Sequence, residues 1–443
     1  MSILDNKIFG MISLGCDKNR VDAERLLGEI RARGYAVTDD IAEAQILIVN
    51  TCAFLNEARK EAIDTVLECD EYRRAGKLEK LVVTGCLPEK FSGELFPSLT
   101  EGDVFLGCGD ADALFGAIER SYREGRVNAV GTGREWKGQR VLTTPLHYAY
   151  LKIADGCNNH CTYCLIPKIR GRYRSDPMED LVAEAESLGE LSELILVAQD
   201  TTRYGEDLYG ENKFVELIRR LSALDTVDRI RLLYCYPEVI TDALIDEVAR
   251  NDKVIKYLDI PLQHSEDRIL KLMNRRGTRS SYLDLIRKLR ARIPGIAIRS
   301  TFIAGFPSET EEESASLASF LREARLTNCG FFAYSREPDT PAYRLPGQVS
   351  ARVKSDRVRN LYAVQRQISE EFLRTKIGTV VDVLCDGVDY EGGRFVGRAY
   401  WSAPEIDGKV YFQAPFAEQG KVYRVAVTGA DSYDLFGQTE DFA

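Results

Sequence analysis

Short unbroken apolar runs alternate with amphipathic stretches along most of this chain, and that alternation restricts the fold more than any other feature. Between residues 7 and 135 the runs are Phe9-Gly10-Met11-Ile12-Ser13-Leu14, Gln45-Ile46-Leu47-Ile48-Val49, Lys80-Leu81-Val82-Val83-Thr84 and Asp103-Val104-Phe105-Leu106. Residues 22–33 and 56–74 lie between them and place apolar side chains at helical spacing, as with Ala62, Ile63, Val66 and Leu67. Strands that are apolar on both faces and separated by helices pair in parallel. The expectation for residues 1–135 is therefore an α/β, doubly wound parallel sheet whose ligands lie beyond the carboxyl ends of its strands. Residues 131–140 are polar and turn-rich and read as a linker. Further apolar runs at 149–153, 194–198, 230–234, 255–260, 296–303 and 330–334 alternate with helical patterns. They predict a partial (β/α)6, TIM-like barrel over residues 141–374, again with its site at the carboxyl ends of the strands. After a long polar helix, residues 376–443 show the period-two pattern of a small antiparallel β-barrel.

The cysteines give this frame its chemistry. Residues 157–164 read Cys157-Asn158-Asn159-His160-Cys161-Thr162-Tyr163-Cys164, which puts three soft sulfur ligands on one loop. A single zinc ion prefers four protein ligands, whereas each iron of a 4Fe–4S cube takes one thiolate from outside. Three cysteines thus leave one iron open to a small molecule. The rival is a zinc site completed by His160, although side chains adjacent in sequence rarely converge on one tetrahedral ion. A cysteine also follows each strand of the first domain: Cys16, Cys52, Cys86 and Cys108. Parallel strands would bring all four to one edge, either as small buried residues or as metal ligands. Three ligands would leave a second cluster with an open iron, and four would close it. Cys69 falls within a helical pattern, at the core or on the surface.

Polar residues stand at strand ends in the central domain. Gln199 and Asp200 follow one strand, Gln263 and His264 another, and Arg299 and Ser300 interrupt a third. An arginine inside a barrel strand needs an anion, either a ligand carboxylate or an internal partner. The turn at residues 305–310 offers a close approach to backbone.

The chain of 443 residues carries 59 Lys+Arg against 69 Asp+Glu, a net charge of -10. That balance excludes general affinity for phosphate backbones, leaving only local basic patches such as Arg170, Arg172 and Arg174. No apolar run reaches the roughly 18 residues of a membrane span, and residues 1–9 lack the pattern of a secretory signal. A cytoplasmic location follows, where thiols stay reduced and eleven cysteines are better ligands or core residues than disulfides.

The CxxxCxxC spacing with Tyr163 before the last cysteine resembles the radical S-adenosylmethionine (SAM) enzymes. Ser13-Leu14-Gly15-Cys16, Asn50-Thr51-Cys52, Thr84-Gly85-Cys86, the run at 166–175 and Pro261-Leu262-Gln263-His264 narrow the likeness to the methylthiotransferases, over nearly the whole chain. Leu14-Gly15-Cys16-Asp17-Lys18-Asn19 and the acidic C-terminal domain resemble the RimO branch, which modifies a ribosomal protein. The MiaB-like branch, which modifies tRNA, is the alternative, and a non-enzymatic metal or redox module is a third reading. The resemblance implies two 4Fe–4S clusters and SAM. Cys157, Cys161 and Cys164 would hold the cluster that binds and cleaves SAM, and Cys16, Cys52 and Cys86 an auxiliary cluster that carries sulfur. Cys108 stands outside the family's ligand set. Tyr163, Gln199, Gln263 and Arg299 are candidate SAM contacts; Ala198-Gln199-Asp200 stands where many relatives have Gly-Gly-Glu. The C-terminal module resembles a TRAM domain, yet residues 376–443 hold six Lys+Arg against eleven Asp+Glu. An acidic module suits a basic protein better than tRNA. The implied partners are small-subunit ribosomal protein twelve as substrate, bound partly through this domain, and an external electron donor.

Overall fold

The computed structural model describes residues 3–131 and 138–442. By compactness the chain forms two units. One is Met1–Thr143 with Asp155–Asn158 and Cys164–Arg174; the other is Thr144–Ala154, Asn159–Tyr163 and Ser175–Ala443.

The first unit is built on strands β1 (Ile8–Ser13), β2 (Ala36–Thr38), β3 (Ile46–Thr51), β4 (Lys80–Gly85), β5 (Val104–Phe105) and β6 (Val127–Asn128). They pair in parallel in the order β2-β1-β3-β4-β5-β6. Helices α1 (Asp17–Ala32), α2 (Asn56–Arg74), α3 (Cys86–Ser98) and α4 (Leu114–Glu124) connect them. Because strand side chains alternate between faces, Ile46 and Ile48 of β3 join a core with Leu26, Leu27 and Ile30 of α1 and Ile118 of α4. Leu47 and Val49 join the opposite core with Ala62 and Val66 of α2 and Leu87 and Leu95 of α3. The sheet is covered on both sides, as a doubly wound sheet must be. Cys69 lies in this second core, as does the short helix α5 (Ile166–Ile169) through Leu165 and Ile169. Strands β2 and β6 were not legible as apolar runs because they end in polar Thr38 and Asn128 after at most two apolar residues.

Of the expected linker, residues 132–137 lie outside the described residues. Its end is not solvated: Arg140 forms a buried ion pair with Glu24 of α1 at 2.7 Å. The carbonyl oxygen of Gln139 comes so close to Gly28 that a side chain there would collide with it.

In the second unit, β7 (Tyr148–Lys152) leads to β8 (Ala154–Asp155), which pairs with β9 (Arg174–Ser175). Strands β10 (Glu193–Val197), β11 (Ile230–Leu232), β12 (Val254–Asp259), β13 (Ala297–Ala304) and β14 (Asn328–Ala333) complete a parallel six-stranded sheet in the order β14-β13-β12-β11-β10-β7. The connecting helices are α6 (Met178–Ser187), α7 (Phe214–Ser222), α8 (Asp242–Arg250), α9 (Asp267–Leu272), α10 (Arg279–Arg292) and α11 (Glu311–Ala324). Thr241, Thr278 and Thr310 start three of them by accepting backbone N–H groups that the first turn leaves unpaired. Six strand-helix units form the open barrel that the apolar runs implied.

Helix α12 (Ala351–Arg374) then leads into β15 (Val380–Asp389), β16 (Arg394–Arg398), β17 (Val410–Gln413), β18 (Val422–Ala430) and β19 (Leu435–Thr439), a closed barrel ordered β15-β16-β17-β19-β18. The barrel is antiparallel at four of its five junctions, while β17 and β19 run parallel. A ring of five strands cannot alternate direction all the way round, so one pair must be parallel. This small barrel packs on the amino-terminal ends of the central strands. Ser192 just before β10 donates to the Gly420 carbonyl at 2.6 Å, and Asn328 at the start of β14 donates to the Trp401 carbonyl at 2.7 Å.

Candidate functional site

The carboxyl edge of the first sheet is laced together by the residues that flank its cysteines. Asn19, three residues after Cys16, donates to the carbonyls of Leu14 and Thr51 at 3.2 and 2.9 Å, and Asn50 of β3 donates to the Asn19 carbonyl at 2.7 Å. Thr51 donates to the Thr84 carbonyl at 2.6 Å, and Thr84 to the Gly107 carbonyl at 3.2 Å. Each bond ties one strand end to its neighbour, so Cys16, Cys52, Cys86 and Cys108 share one edge. Gly15 and Gly85 adopt φ of +96°, and a side chain at either would strike Cys52 or the Asn50–Thr51 segment. These close approaches explain the glycine that precedes Cys16 and Cys86.

Charge at this edge is set by Arg170, just beyond α5 and fully enclosed. It ion-pairs with Asp22 at 2.6 Å and Asp155 at 3.1 Å, and its guanidinium also donates to the Asn19 side-chain oxygen and to Cys86 Sγ, the latter at 3.4 Å. The Cys108 thiol donates to Cys86 Sγ at 3.8 Å. That hydrogen bond, with Arg170, outweighs burial and holds the Cys86 thiol below the ordinary range. Burial pushes Cys52 up to about 11. Cys86 is therefore the most readily ionised of the pair it forms with Cys108 and is suited to bind a metal as thiolate. Among the described residues no three such groups are drawn close enough to grip a single ion. Thiols are the donors that the irons of a cube take, one each.

The cysteine loop is anchored at its ends within the first unit and at its middle within the second. Cys157 N–H donates to the Gly171 carbonyl, Asn158 accepts from Tyr173 N–H, and Cys164 Sγ accepts from Ile166 N–H at 3.4 Å. In the second unit Asn159 donates to Asp200 at 2.9 Å, and Thr162 donates to the Leu272 carbonyl at 2.7 Å. Tyr163 packs against an apolar group of Ile269, Met273, Phe306 and Tyr334. His160 is exposed, with φ of +51°. Tyr234 after β11 and Gln263 after β12 share that left-handed backbone, at φ of +57° and +72°. Such residues cost of order 1–3 kcal/mol each and persist where the surroundings over-determine them. These three lie in the cysteine loop and at the carboxyl ends of two strands; Asn274, Ser308, Arg325, Asp339 and Glu405 share the conformation elsewhere in the unit.

The candidate SAM contacts fare differently. Gln199 and Gln263 lie half-buried at the carboxyl ends of β10 and β12. Gln263 is held there by backbone bonds to Thr301 and Ile303. Arg299 is corrected: it pairs with Asp259 at 3.0 Å and with Asp407 of the small barrel at 3.4 Å. A buried guanidinium between two carboxylates is already compensated and is no open receptor for a ligand carboxylate. Arg170 was grouped with a basic loop, yet it is enclosed by acids, and only Arg172 and Arg174 are exposed. Sequence reasoning passed over Glu309, buried at the turn after β13. It accepts from Gly305 and Phe306 N–H at 2.7 and 3.0 Å and pairs with Arg357 at 3.0 Å. A glutamate four residues after a glycine in a turn was the available signal.

Three family descriptions match the chain: the Radical SAM superfamily over residues 151–321, the Uncharacterized protein family UPF0004 over 8–107, and the TRAM domain over 377–439. The ribosomal protein uS12 methylthiotransferase RimO of Lachnoclostridium phytofermentans is 46% identical over 98% of this chain and 100% of its own length. That of Clostridium botulinum is 44% identical over 98% of each. Among solved structures, the radical S-adenosylmethionine methyltransferase TsrM from Kitasatospora setae superposes with a TM-score of 0.55 at 15% identity, covering 87% of this chain and 81% of that one. At that identity the likeness speaks for the fold alone.

Proposed function

The chain belongs to the RimO family of radical SAM methylthiotransferases, and from that premise we propose that it places a methylthio group on the β-carbon of an aspartate in ribosomal protein uS12. Its cofactors are those of the family, SAM and two 4Fe–4S clusters. When bound, they supply the one-electron chemistry and the sulfur and methyl groups that an unactivated C–H bond requires. In our reading Cys157, Cys161 and Cys164 hold the cluster that binds SAM, and Cys16, Cys52 and Cys86 hold the auxiliary one. The observation that supports an auxiliary site here is the laced edge, where Asn19, Thr51 and Thr84 tie together the strand ends that bear Cys16, Cys52, Cys86 and Cys108; the choice of the first three follows the family resemblance.

The chain's own residues do the positioning. Arg170 sets positive charge beside Cys86, Asp200 steadies Asn159 of the loop, and Tyr163, Gln199 and Gln263 border the SAM site. Glu309 fixes the backbone of the turn after β13. Electrons come from an external donor, and the enzyme works in the cytoplasm, where ribosomes are. Among the described residues no helix is long and apolar enough to cross a membrane.

The small barrel supports a protein substrate. Its Asp386, Asp407 and Arg398 turn toward the central sheet, while Asp382, Glu391, Glu405, Glu418, Asp431 and Glu440 face solvent. An acidic surface attracts a basic ribosomal protein and repels phosphate. Because it packs on the amino-terminal ends of the strands, it would hold the substrate at a distance from the reacting carbon. Anaerobic incubation with SAM, a reductant, and uS12 or total tRNA decides the substrate. A methylthio mass gain on uS12 is expected, and a gain on tRNA alone would overturn the proposal.

A further inference from the structure

Cys108 has no part in the assignment above, yet its place in the fold is built rather than incidental. The loop after β5 is tied down at three points: Gly107 N–H donates to Asp110 at 2.6 Å, Gly131 N–H, from the segment after β6, donates to the same carboxylate at 3.1 Å, and Cys108 N–H donates to Glu89 of α3 at 2.9 Å. Gly107 leaves no room for a side chain, because one would overlap the Glu89 carboxylate. This clamp brings Cys108 Sγ to 3.8 Å from Cys86 Sγ.

That spacing is informative. Two sulfurs bound to one tetrahedral metal, each about 2.3 Å away, stand about 3.8 Å apart. Terminal thiolates on different irons of a cube stand farther apart than this. Cys108 is therefore not aimed at a fourth iron, and it would not close the open position of the cluster. It is aimed at the iron that Cys86 binds. An iron of the cube already has three sulfides and takes one thiolate, so the two cysteines would exclude one another as ligands. Cys69, the other cysteine of this unit away from both clusters, lies in the apolar core and offers no such substitute for Cys16 or Cys52.

We propose that Cys108 is an alternate thiolate for the iron held by Cys86, so that this corner of the auxiliary cluster has two interchangeable ligands. The proposal rests on the assignment of the auxiliary cluster to Cys16, Cys52 and Cys86. Exchange at the Cys86 corner needs no oxidant or reductant: one thiolate takes the iron, and the other takes the proton that the first releases.

The test uses the full chain with Cys157, Cys161 and Cys164 all changed to alanine, reconstituted with iron and sulfide without oxygen. Iron, sulfide and the EPR spectrum of the reduced protein are the readouts, and none of them depends on turnover. One cluster per chain is expected in this background; an iron-free protein would overturn the auxiliary assignment itself. Adding Cys86→Ala should leave roughly half or more of the iron with a shifted EPR spectrum, whereas Cys16→Ala or Cys52→Ala should leave under about a tenth. Adding Cys108→Ala to Cys86→Ala should remove the remainder. Loss in Cys86→Ala as deep as in Cys16→Ala overturns the proposal, and so does iron that survives the Cys86→Ala/Cys108→Ala pair. A measurement free of folding effects uses the metal-free chain with both cysteines intact. Dibromobimane, which fluoresces on bridging two nearby thiols, should join the peptides of Cys86 and Cys108; failure to join them also overturns it.

Discussion

Arg170 donates to Cys86 Sγ at 3.4 Å while its other side pairs with Asp22 at 2.6 Å and Asp155 at 3.1 Å. One buried cation thus serves a thiol and two carboxylates. The carboxylates keep the cation from being an unpaired buried charge, and the cation favours the thiolate form of Cys86.

Replacing Arg170 separates these roles. Arg170→Ala removes the buried cation that Asp22 and Asp155 share and should cost about 3–5 kcal/mol in urea unfolding. Arg170→Lys keeps the charge but not the planar fork that reaches Asn19, Cys86 and the acids together. It should cost less and still lower the iron content of a protein lacking Cys157, Cys161 and Cys164.

Gly15 and Gly85 combine positive φ with close contacts. Gly15→Ala or Gly85→Ala should displace the adjoining cysteine and destabilise the first unit by about 1–3 kcal/mol. Iron content should fall with it, while Gly34→Ala, at similar φ but with open space around it, should lose stability without losing iron.

Arg299 is held between Asp259 and Asp407, so its loss is expected to act on stability and not on binding. Arg299→Met should destabilise by about 3–5 kcal/mol, because Asp259 and Asp407 remain buried without their cation. Equilibrium binding of SAM to the folded fraction should be unchanged. A weaker SAM affinity at full folding would restore Arg299 as a ligand contact.

Glu193 lies buried at the start of β10, bonded to Arg231 at 2.6 Å and to Arg398 of the small barrel at 2.9 Å. Burial alone would raise its pKa, but the two guanidinium groups outweigh burial and pull it down to about 2. The folded value lies below the unfolded one of about 4.3, so the stabilisation is present above that pH and is lost as pH falls toward 2. Its size is about 3 kcal/mol. Glu193→Gln should lower stability at neutral pH and flatten the acid limb of a stability-against-pH curve between about pH 4.5 and 2.

Much of this architecture was legible beforehand. Runs such as Ile46-Leu47-Ile48-Val49 are apolar on both faces, and a strand like that fits only a sheet covered on both sides. The cysteines were legible because each stands at the end of such a run. Arg299 was misread for a physical reason: a strand arginine needs an anion, but Asp407 lies more than a hundred residues away, in another domain. For Arg170 the run Arg170-Gly171-Arg172 fits a basic loop or a pairing with acidic neighbours equally well, and only the folded chain brings up Asp22 and Asp155 as the partners.

The sequence by itself determined the parallel sheets, the two sets of cysteines and the acidity of the last domain, because periodicity, spacing and composition are local properties. Only the tertiary structure decided which charges meet. Ion pairs such as Arg299–Asp407, Arg398–Glu193 and Arg170–Asp22, and the contact between Cys86 and Cys108, join residues far apart in the chain. Their energies depend on distance and burial, which no linear pattern records.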